Sequence, residues 1–258
     1  MRIGIGVGRE SRRLISCLVS LPEDLVPVLY GRRESLPDAP SRCERAVHKE
    51  PEHALALDLA EGQIDAAVRG SLPANEALRA LKSAMEVERL ERVALLETGK
   101  GRKFLLAPVG VDEGWTVAER ISLAKNARSL ATVIGLPTEV GILSGGRLGD
   151  IGRHPAVDRT LGDAELIARL IGGRHCEILI EEAVESCGVV IAPDGIAGNL
   201  IFRTLVLLGG GRGHGAPVVN IHRIFVDTSR ASPDYSNAIL LADSLAKKHK
   251  KGINRTEL

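Results

Sequence analysis

The sequence predicts an α/β protein with a mostly parallel sheet and helices on both of its faces. Short apolar runs typical of buried strands alternate with longer stretches whose apolar residues recur at helical spacing. One run, GVVIAP at 188–193, is almost wholly apolar, as expected of a parallel strand that is covered on both faces. Strands that alternate with helices imply right-handed crossovers, and these favour a parallel sheet.

The predicted elements follow in chain order. Strands are expected at 3–7, 25–30, 64–70, 89–97, 103–108, 139–144, 188–193 and 217–226. Helices are expected after Ser11 and at 50–61, 72–88, 117–134, 164–170, 183–186, 198–208 and 235–248. The chain of 258 residues is treated as a single domain, 1–258, and a division into two lobes near 80–110 is left open.

Composition excludes several classes of protein. Hydrophobic residues make up 44% and charged residues 26%, which is ordinary for a folded domain. Aromatic residues are only 2%, too few for the stacking platforms of single-strand nucleic-acid binders, and a net charge of +1 favours no polyanionic partner. No signal-peptide pattern opens the chain, and no apolar run nears the ~20 residues that span a bilayer. We therefore expect a cytoplasmic protein without nucleic-acid or membrane partners.

Metal and disulfide chemistry are not expected. The histidines are scattered, and the four cysteines are far apart in the sequence and form no CxxC pair: Cys17, Cys43, Cys176 and Cys187. We predict no metal site and no bound cofactor.

Ligands of parallel α/β sheets bind at the carboxyl ends of strands, so the polar residues at strand ends are the candidates. The glycines of GIGVGRE at 4–10 are best explained by a tight turn. In VRGSLPANEALR at 68–79, Ser71 and Arg79 could bind an anion, although a helical arginine is usually a solvated charge. In LSGGRLGDIGRH at 143–154, glycines beside Arg147 suit phosphate, and a surface loop explains them equally well.

Two later strand ends carry denser polar turns. In APDGIAGN at 192–199, Asp194 and Asn199 bind substrate, or Asp194 merely caps the following helix; the two interpretations weigh about equally. The segment FVDTSRASPD at 225–234 gathers a hydroxyl, a guanidinium and carboxylates at one strand end, which favours a site: Asp227, Ser229, Arg230 and Asp234.

These last motifs resemble a known family. PDGIAGN followed about thirty residues later by VDTSR is similar to the PDxxAGN turn and NDLSRG strand end of phosphate acetyl- and butyryltransferases. IDAAVRGSLPANEALR at 64–79 and the run from Ala107 to VGILS at 140–144 resemble earlier family segments in the same order. The resemblance covers roughly residues 60–245. The wording VRGSL and PDGIAGN most resembles the branch named methanogenesis marker protein 4, also labelled methyltransferase subunit X.

The resemblance implies an isocitrate/isopropylmalate-dehydrogenase-like fold of the phosphotransacetylase type, in two lobes and as a homodimer. It also implies a transferase that moves an acyl group between phosphate and a thiol such as coenzyme A, which would be a cosubstrate. The implied catalytic residues are Ser229, Arg230 and Asp234. The implied substrate-binding residues are Ser71, Arg79, Arg147, Asp194, Asn199 and Asp227.

The sequence departs from the family at three points. The SxSTKGS loop of the family is SGGRLGD here, its asparagine before the aspartate is Val226, and its catalytic aspartate falls on Ser236, two residues from Asp234. Two alternatives to acyl transfer therefore stay open. One is a subunit associated with methyltransferase subunits in methanogen metabolism, and the other is a non-catalytic protein that binds a phosphorylated ligand.

Overall fold

The computed structural model describes residues 1–8, 12–36, 38, 40–229 and 235–252, without the side chains of Arg12, Arg13 and Ile15. The strands are β1 (Arg2–Val7), β2 (Val26–Gly31), β3 (Glu44–Val47), β4 (Ala66–Val68), β5 (Ala94–Glu97), β6 (Lys103–Ala107), β7 (Val140–Ile142), β8 (Arg174–His175), β9 (Val189–Ile191), β10 (Arg212–Gly213), β11 (Ala216–Pro217) and β12 (Phe225–Asp227). The helices are α1 (Arg12–Val19), α2 (Pro51–Glu61), α3 (Ala74–Ala84), α4 (Val117–Ile134), α5 (Pro155–Ile171), α6 (Ile180–Ser186), α7 (Gly195–Leu207) and α8 (Ser236–Lys250).

The chain forms two compact units. Unit 1 contains residues 1–90 and 214–252, and unit 2 contains residues 91–213. Each unit has its own six-stranded sheet. The α/β class with mostly parallel strands and two lobes is therefore confirmed, with the strands distributed over two sheets.

The sheet of unit 1 has the strand order β11-β12-β4-β1-β2-β3, and every neighbouring pair is parallel except β11 with β12. Helices α2 and α3 pack together over a core that includes Leu55, Leu59, Leu81 and Phe225. Helix α8 contacts β1, β4 and β12. Because β12, β4, β1, β2 and β3 run in one direction, their carboxyl ends meet at one edge of this sheet.

The sheet of unit 2 has the order β10-β5-β6-β9-β7-β8. β10, β5 and β6 are joined as antiparallel neighbours, whereas β6, β9, β7 and β8 are parallel. Helices α4 and α5 pack against each other and against the parallel strands. Helix α4 begins with a capping box in which Thr116 and Glu119 each satisfy the other's backbone N–H.

Helix α4 has the bounds that the sequence predicts, whereas the strand predicted at 217–226 is wrong as a single element. The chain reverses there, so that β11 and β12 form an antiparallel pair. Two polar side chains tether the bend, because Asn220 donates to the Arg89 carbonyl at 2.9 Å and Arg223 to the Ala60 carbonyl at 2.9 Å. The short strands β3, β8 and β10 were not predicted. Within the described ranges, no helix combines the length and the apolar character needed to cross a membrane.

Candidate functional site

The carboxyl edge of the unit 1 sheet joins two of the predicted motifs. Strands β12 and β4 are neighbours in parallel register, with Val226 opposite Val68, and β1 lies on the other side of β4. The residues that follow β12 therefore lie beside those that follow β4. This places the VDTSR segment next to the VRGSL segment.

A buried ion pair holds these two strand ends together. Arg69 is only 3% exposed, and its guanidinium donates to the carboxylate of Asp227 and to the carbonyl oxygens of Leu72 and Thr228. The carboxylate of Asp227 also accepts the backbone N–H of Thr228 at 2.8 Å. These contacts of the Asp227 carboxylate are all with other groups of the same chain. Arg69 was not predicted from the sequence, although a charged residue at the end of a buried apolar run is a signal that it needs a partner.

The same edge brings Ser71 and Ser229 into one neighbourhood. The Ser71 hydroxyl accepts the backbone N–H of Gly8 at 2.8 Å, which links β4 to β1. The Thr228 hydroxyl donates to the Gly70 carbonyl at 2.7 Å, and Ser229 follows directly. Together these bonds cross-link the ends of three adjacent strands, β1, β4 and β12.

Of the other three site residues that were predicted in unit 1, the structure describes only Arg79. Arg230 and Asp234 lie outside the described residues. Arg79 is exposed in the second turn of α3, and no residue in the described part of the chain bonds to its guanidinium. It is a free surface cation on the helix that follows the Ser71 turn.

In unit 2 the PDGIAGN turn packs against the loop that follows β6. The carboxylate of Asp194 accepts the backbone N–H of Ala197 at 2.8 Å and so caps α7, while Asn199 donates to the Val109 carbonyl at 3.0 Å. A Cβ on Gly195 would lie 1.7 Å from the Gly110 oxygen, and one on Gly198 would lie 1.9 Å from the Pro108 oxygen. The motif thus has a structural reason: only glycines let the helix approach this loop.

The buried carboxylate of Glu113 bonds to the same loop. Glu113 is 7% exposed and accepts Arg92 Nε at 2.5 Å and the backbone N–H of Gly110 at 3.3 Å. Burial raises the pKa of Glu113, and the Arg92 guanidinium partly offsets that rise. The loop from β6 to α4 is therefore fixed by polar contacts that serve its own backbone.

The SGGRLGD loop after β7 also closes on itself. The backbone N–H groups of Gly145, Arg147 and Leu148 donate to Thr160 Oγ1 at 2.9 Å, Asp150 Oδ2 at 2.8 Å and Glu177 Oε1 at 3.0 Å. These three amides are thus bonded within the protein, which favours the surface-loop interpretation over the phosphate-binding one that the sequence left equally open. The Arg147 side chain is exposed.

The side chains of Ser144, His175 and Glu165 are linked in a hydrogen-bonded series near the ends of β7 and β8. Ser144 Oγ lies 3.0 Å from His175 Nε2, and His175 Nδ1 lies 3.2 Å from Glu165 Oε2. Ser144 is only 2% exposed, and its hydroxyl also donates to the Gly146 carbonyl at 2.9 Å. This arrangement anchors the loop after β7 rather than presenting a nucleophile. The residues lie far apart in the sequence, and no local pattern there pointed to it.

Two cysteines that are separated in the sequence meet in unit 2. The sulfur atoms of Cys176 and Cys187 would lie 3.1 and 3.2 Å from a Cβ on Gly141, and both thiols are free and buried. Burial, followed by the neighbouring Cys187 thiol, raises the pKa of Cys176 to about 11. The Cys176 thiol therefore remains protonated, and both buried sulfur atoms pack as small apolar groups.

This fold, with polar strand ends in each unit, is that of the phosphotransacylase class. Solved structures with the same fold include a branched-chain phosphotransacylase from Enterococcus faecalis, with a TM-score of 0.74 at 18% identity over 96% of this chain and 100% of that one. A phosphotransacetylase from Streptococcus pyogenes has a TM-score of 0.69 at 15% identity, over 96% and 94% of the two chains. An isocitrate dehydrogenase from Methylococcus capsulatus follows with 0.53 at 9% identity, over 98% and 87%.

Sequence comparison gives the particular family. A protein of Methanosarcina barkeri named "Putative methyltransferase mtx subunit X" is 43% identical over 87% of this chain and 84% of its own length. An uncharacterized methyltransferase of Methanopyrus kandleri is 40% identical over 95% of this chain and 99% of its own. The chain belongs to the mtx subunit X family, which confirms the branch that its motifs indicated. No family model matches the chain.

Proposed function

We propose that the protein is a transferase of the phosphate acyltransferase type, which moves an acyl group between phosphate and a thiol such as coenzyme A. One observation carries the proposal. The buried Arg69–Asp227 pair joins the ends of β4 and β12, so that Ser71 and Ser229 lie at the same edge of the unit 1 sheet. The likeness to the phosphotransacylase fold supports the same assignment.

The reaction needs a hydrogen-bond donor for the carbonyl oxygen, a cation for the phosphate and a base for the thiol. The thiolate sulfur attacks the carbonyl carbon of an acyl phosphate, a carbon–sulfur bond forms, the carbon–oxygen bond to phosphate breaks, and phosphate leaves. In our proposal Ser229 donates a hydrogen bond to the carbonyl oxygen, Arg230 binds the phosphate, and the carboxylate of Asp234 takes the thiol proton. Ser71 and Arg79 contribute further donors for the phosphate.

Asp227 has a positioning role in this scheme. Its carboxylate is held by the Arg69 guanidinium and accepts the Thr228 N–H, so it orients the backbone that leads into Ser229. A fixed backbone of this kind lowers the cost of aligning donors with the developing charge. Arg147, Asp194 and Asn199 of unit 2 stay predicted substrate-binding residues; the Arg147 side chain is exposed, and those of Asp194 and Asn199 are half-buried.

The test is phosphate-dependent release of coenzyme A from acetyl, butyryl and branched-chain acyl thioesters by the purified protein. We expect turnover with at least one thioester, and a loss of about 10²–10³-fold in Ser229→Ala and Arg230→Ala, the range for removing an oxyanion donor. Arg159→Ala is the matched control, because Arg159 is exposed on α5 and bonds to no other residue in the described part of the chain. Equal losses in the control and the site variants would contradict the assignment.

The names of the relatives favour a second candidate, a subunit associated with methyltransferases. In that case no thioester would release coenzyme A. The protein would instead retain affinity for acetyl phosphate by calorimetry, and Arg230→Ala would abolish that affinity. Affinity without turnover is also the outcome expected of a non-catalytic protein that binds a phosphorylated ligand.

A further inference from the structure

The carboxyl edge of the unit 1 sheet carries a cluster of cations at the ends of β2 and β3. Arg32 and Arg33 follow β2 directly, and His48 and Lys49 follow β3. These four residues, with Glu34 and Val47, line a cavity of about 500 Å³. Three permanent cations face one carboxylate there. The cluster belongs to none of the motifs considered above, and it lies two to three strands from Ser71, or about 10–15 Å at normal strand spacing.

Parts of this cavity wall are held rigidly. The Nε of Arg32 donates to the Lys49 carbonyl at 3.1 Å, which ties the ends of β2 and β3 together. The His48 ring stacks on Tyr30 with centroids 6.2 Å apart and planes 12° from parallel. Tyr30 is itself buried, and its hydroxyl donates to Asp58 of α2 at 2.5 Å. A wall fixed in this way costs less entropy to order around a ligand than freely moving side chains would.

Two of the cations have no bonding partner in the described part of the chain. Neither the Arg33 guanidinium nor the Lys49 ammonium bonds to any other residue that the structure describes. Exposed cations that lack a carboxylate partner and converge on one cavity form a site for an anion with several acceptor oxygens, and a phosphate group provides these.

A second cavity continues from the first. Its volume is about 630 Å³, and it shares His48 and Lys49 with the cationic cavity. The opposite wall is the groove between α2 and α3, where Ala54, Leu57 and Ala84 lie. Glu50 and Glu86 also line it, so this second cavity offers apolar surface but no excess of positive charge. Leu57 is 52% exposed, which leaves apolar surface for a ligand to cover.

We propose that these adjoining cavities form a binding site for a phosphate monoester with an apolar body. The phosphate lies among Arg32, Arg33 and Lys49, and the apolar part extends past His48 along Leu57. This site is separate from the edge around Ser71 and Ser229, and it does not depend on acyl transfer.

Calorimetric titration with methyl phosphate and hexyl phosphate tests the site. Each buried methylene contributes about fourfold in affinity, so hexyl phosphate should bind at least about tenfold more tightly than methyl phosphate. Arg33→Gln/Lys49→Gln should weaken both probes about tenfold or more, because it removes two charged donors. Leu57→Ser should reduce the preference for hexyl phosphate by roughly fourfold, with little effect on methyl phosphate.

The control variant is Lys100→Gln/Lys125→Gln, which removes two exposed charges from unit 2. Equal weakening in this control, or unchanged affinity in Arg33→Gln/Lys49→Gln, would overturn the site. Equal affinity for the two probes would overturn its apolar half. Phosphatidylcholine vesicles doped with phosphatidate distinguish the source of the phosphate: binding to these vesicles without affinity for hexyl phosphate would mean a lipid headgroup and would also overturn the proposal. These results are independent of whether coenzyme A release is observed.

Discussion

The polar residues at the carboxyl ends of the parallel strands bond to different kinds of partner in the two units. In unit 1, the buried arginine that follows β4 pairs with the aspartate that ends β12, so the bond connects two strand ends. In unit 2, Asp194 caps the helix that it precedes, and the amides of the 145–148 loop donate to neighbouring side chains. Both edges look alike in the sequence, because each is an apolar run followed by glycines and polar residues.

The difference shows that polar residues at a strand end can have two structural roles. When the polar groups bond across strands, they fix the strand ends to one another. When they bond to their own turn, they satisfy backbone groups that would otherwise be unpaired, and fewer donors remain. The Ser229 edge is of the first kind, and the Asp194 edge is mostly of the second.

The largest effect is expected from Arg69→Met, which breaks the bond between strands. It leaves the Asp227 carboxylate buried without its cation, and the loss of one partner of a buried pair costs about 3–5 kcal/mol of unfolding free energy. Urea denaturation followed by circular dichroism measures this. Arg79→Met is the control and should stay within about 0.5 kcal/mol, because Arg79 is exposed.

The double variant Arg69→Met/Asp227→Leu separates a buried charge from a general packing defect. Since no uncompensated charge remains, it should recover much of the stability that Arg69→Met loses. If Arg69→Met costs no more than Arg79→Met, the pair does not stabilise the edge.

The next effect belongs to unit 2, where Gly198→Ala should destabilise by about 1–3 kcal/mol through overpacking against the Pro108 carbonyl. Gly162→Ala is the matched control in the interior of α5, where a Cβ would meet no heavy atom within 4 Å. It should stabilise by about 0.5–1 kcal/mol through helix propensity. Thermal melts of both variants give the two signs, and the same sign for both would contradict the close approach of helix and loop.

A smaller effect distinguishes capping from ligand binding at Asp194. Asp194→Ala should cost about 1 kcal/mol, because the Ala197 N–H loses its acceptor. Asp194→Asn keeps a capping oxygen and should change stability little. A fall in coenzyme A release with Asp194→Asn at unchanged melting temperature would assign the charge to substrate, and full activity would leave Asp194 as a cap alone.

Much of the fold was predictable, because periodicity is local information. The bounds of α4 follow from apolar spacing and from the T-x-x-E pattern at Thr116–Glu119. The reversal between β11 and β12 was missed, since an apolar run does not show that Asn220 and Arg223 tether a bend. The Arg69–Asp227 and Ser144–His175 contacts join segments 158 and 31 residues apart, and such pairings depend on strand order, which local patterns do not contain.

The smallest expected effect concerns pH and the loop after β7. The Arg147 N–H, followed by the Arg153 guanidinium, holds the pKa of Asp150 below its usual value. Because the folded pKa is below the unfolded one, the stabilisation is present above the ordinary carboxyl pKa of about 3.9 and is lost as pH falls through the folded value. In an NMR titration the Asp150 carboxyl carbon and the Arg147 amide should shift together, with a midpoint below 3.9. Arg153→Gln should raise that midpoint only partly, since the amide is the larger cause. A midpoint at or above the ordinary value would mean that Asp150 does not close this loop, and the Arg147 amide would then be free to bind an anion as the sequence suggested.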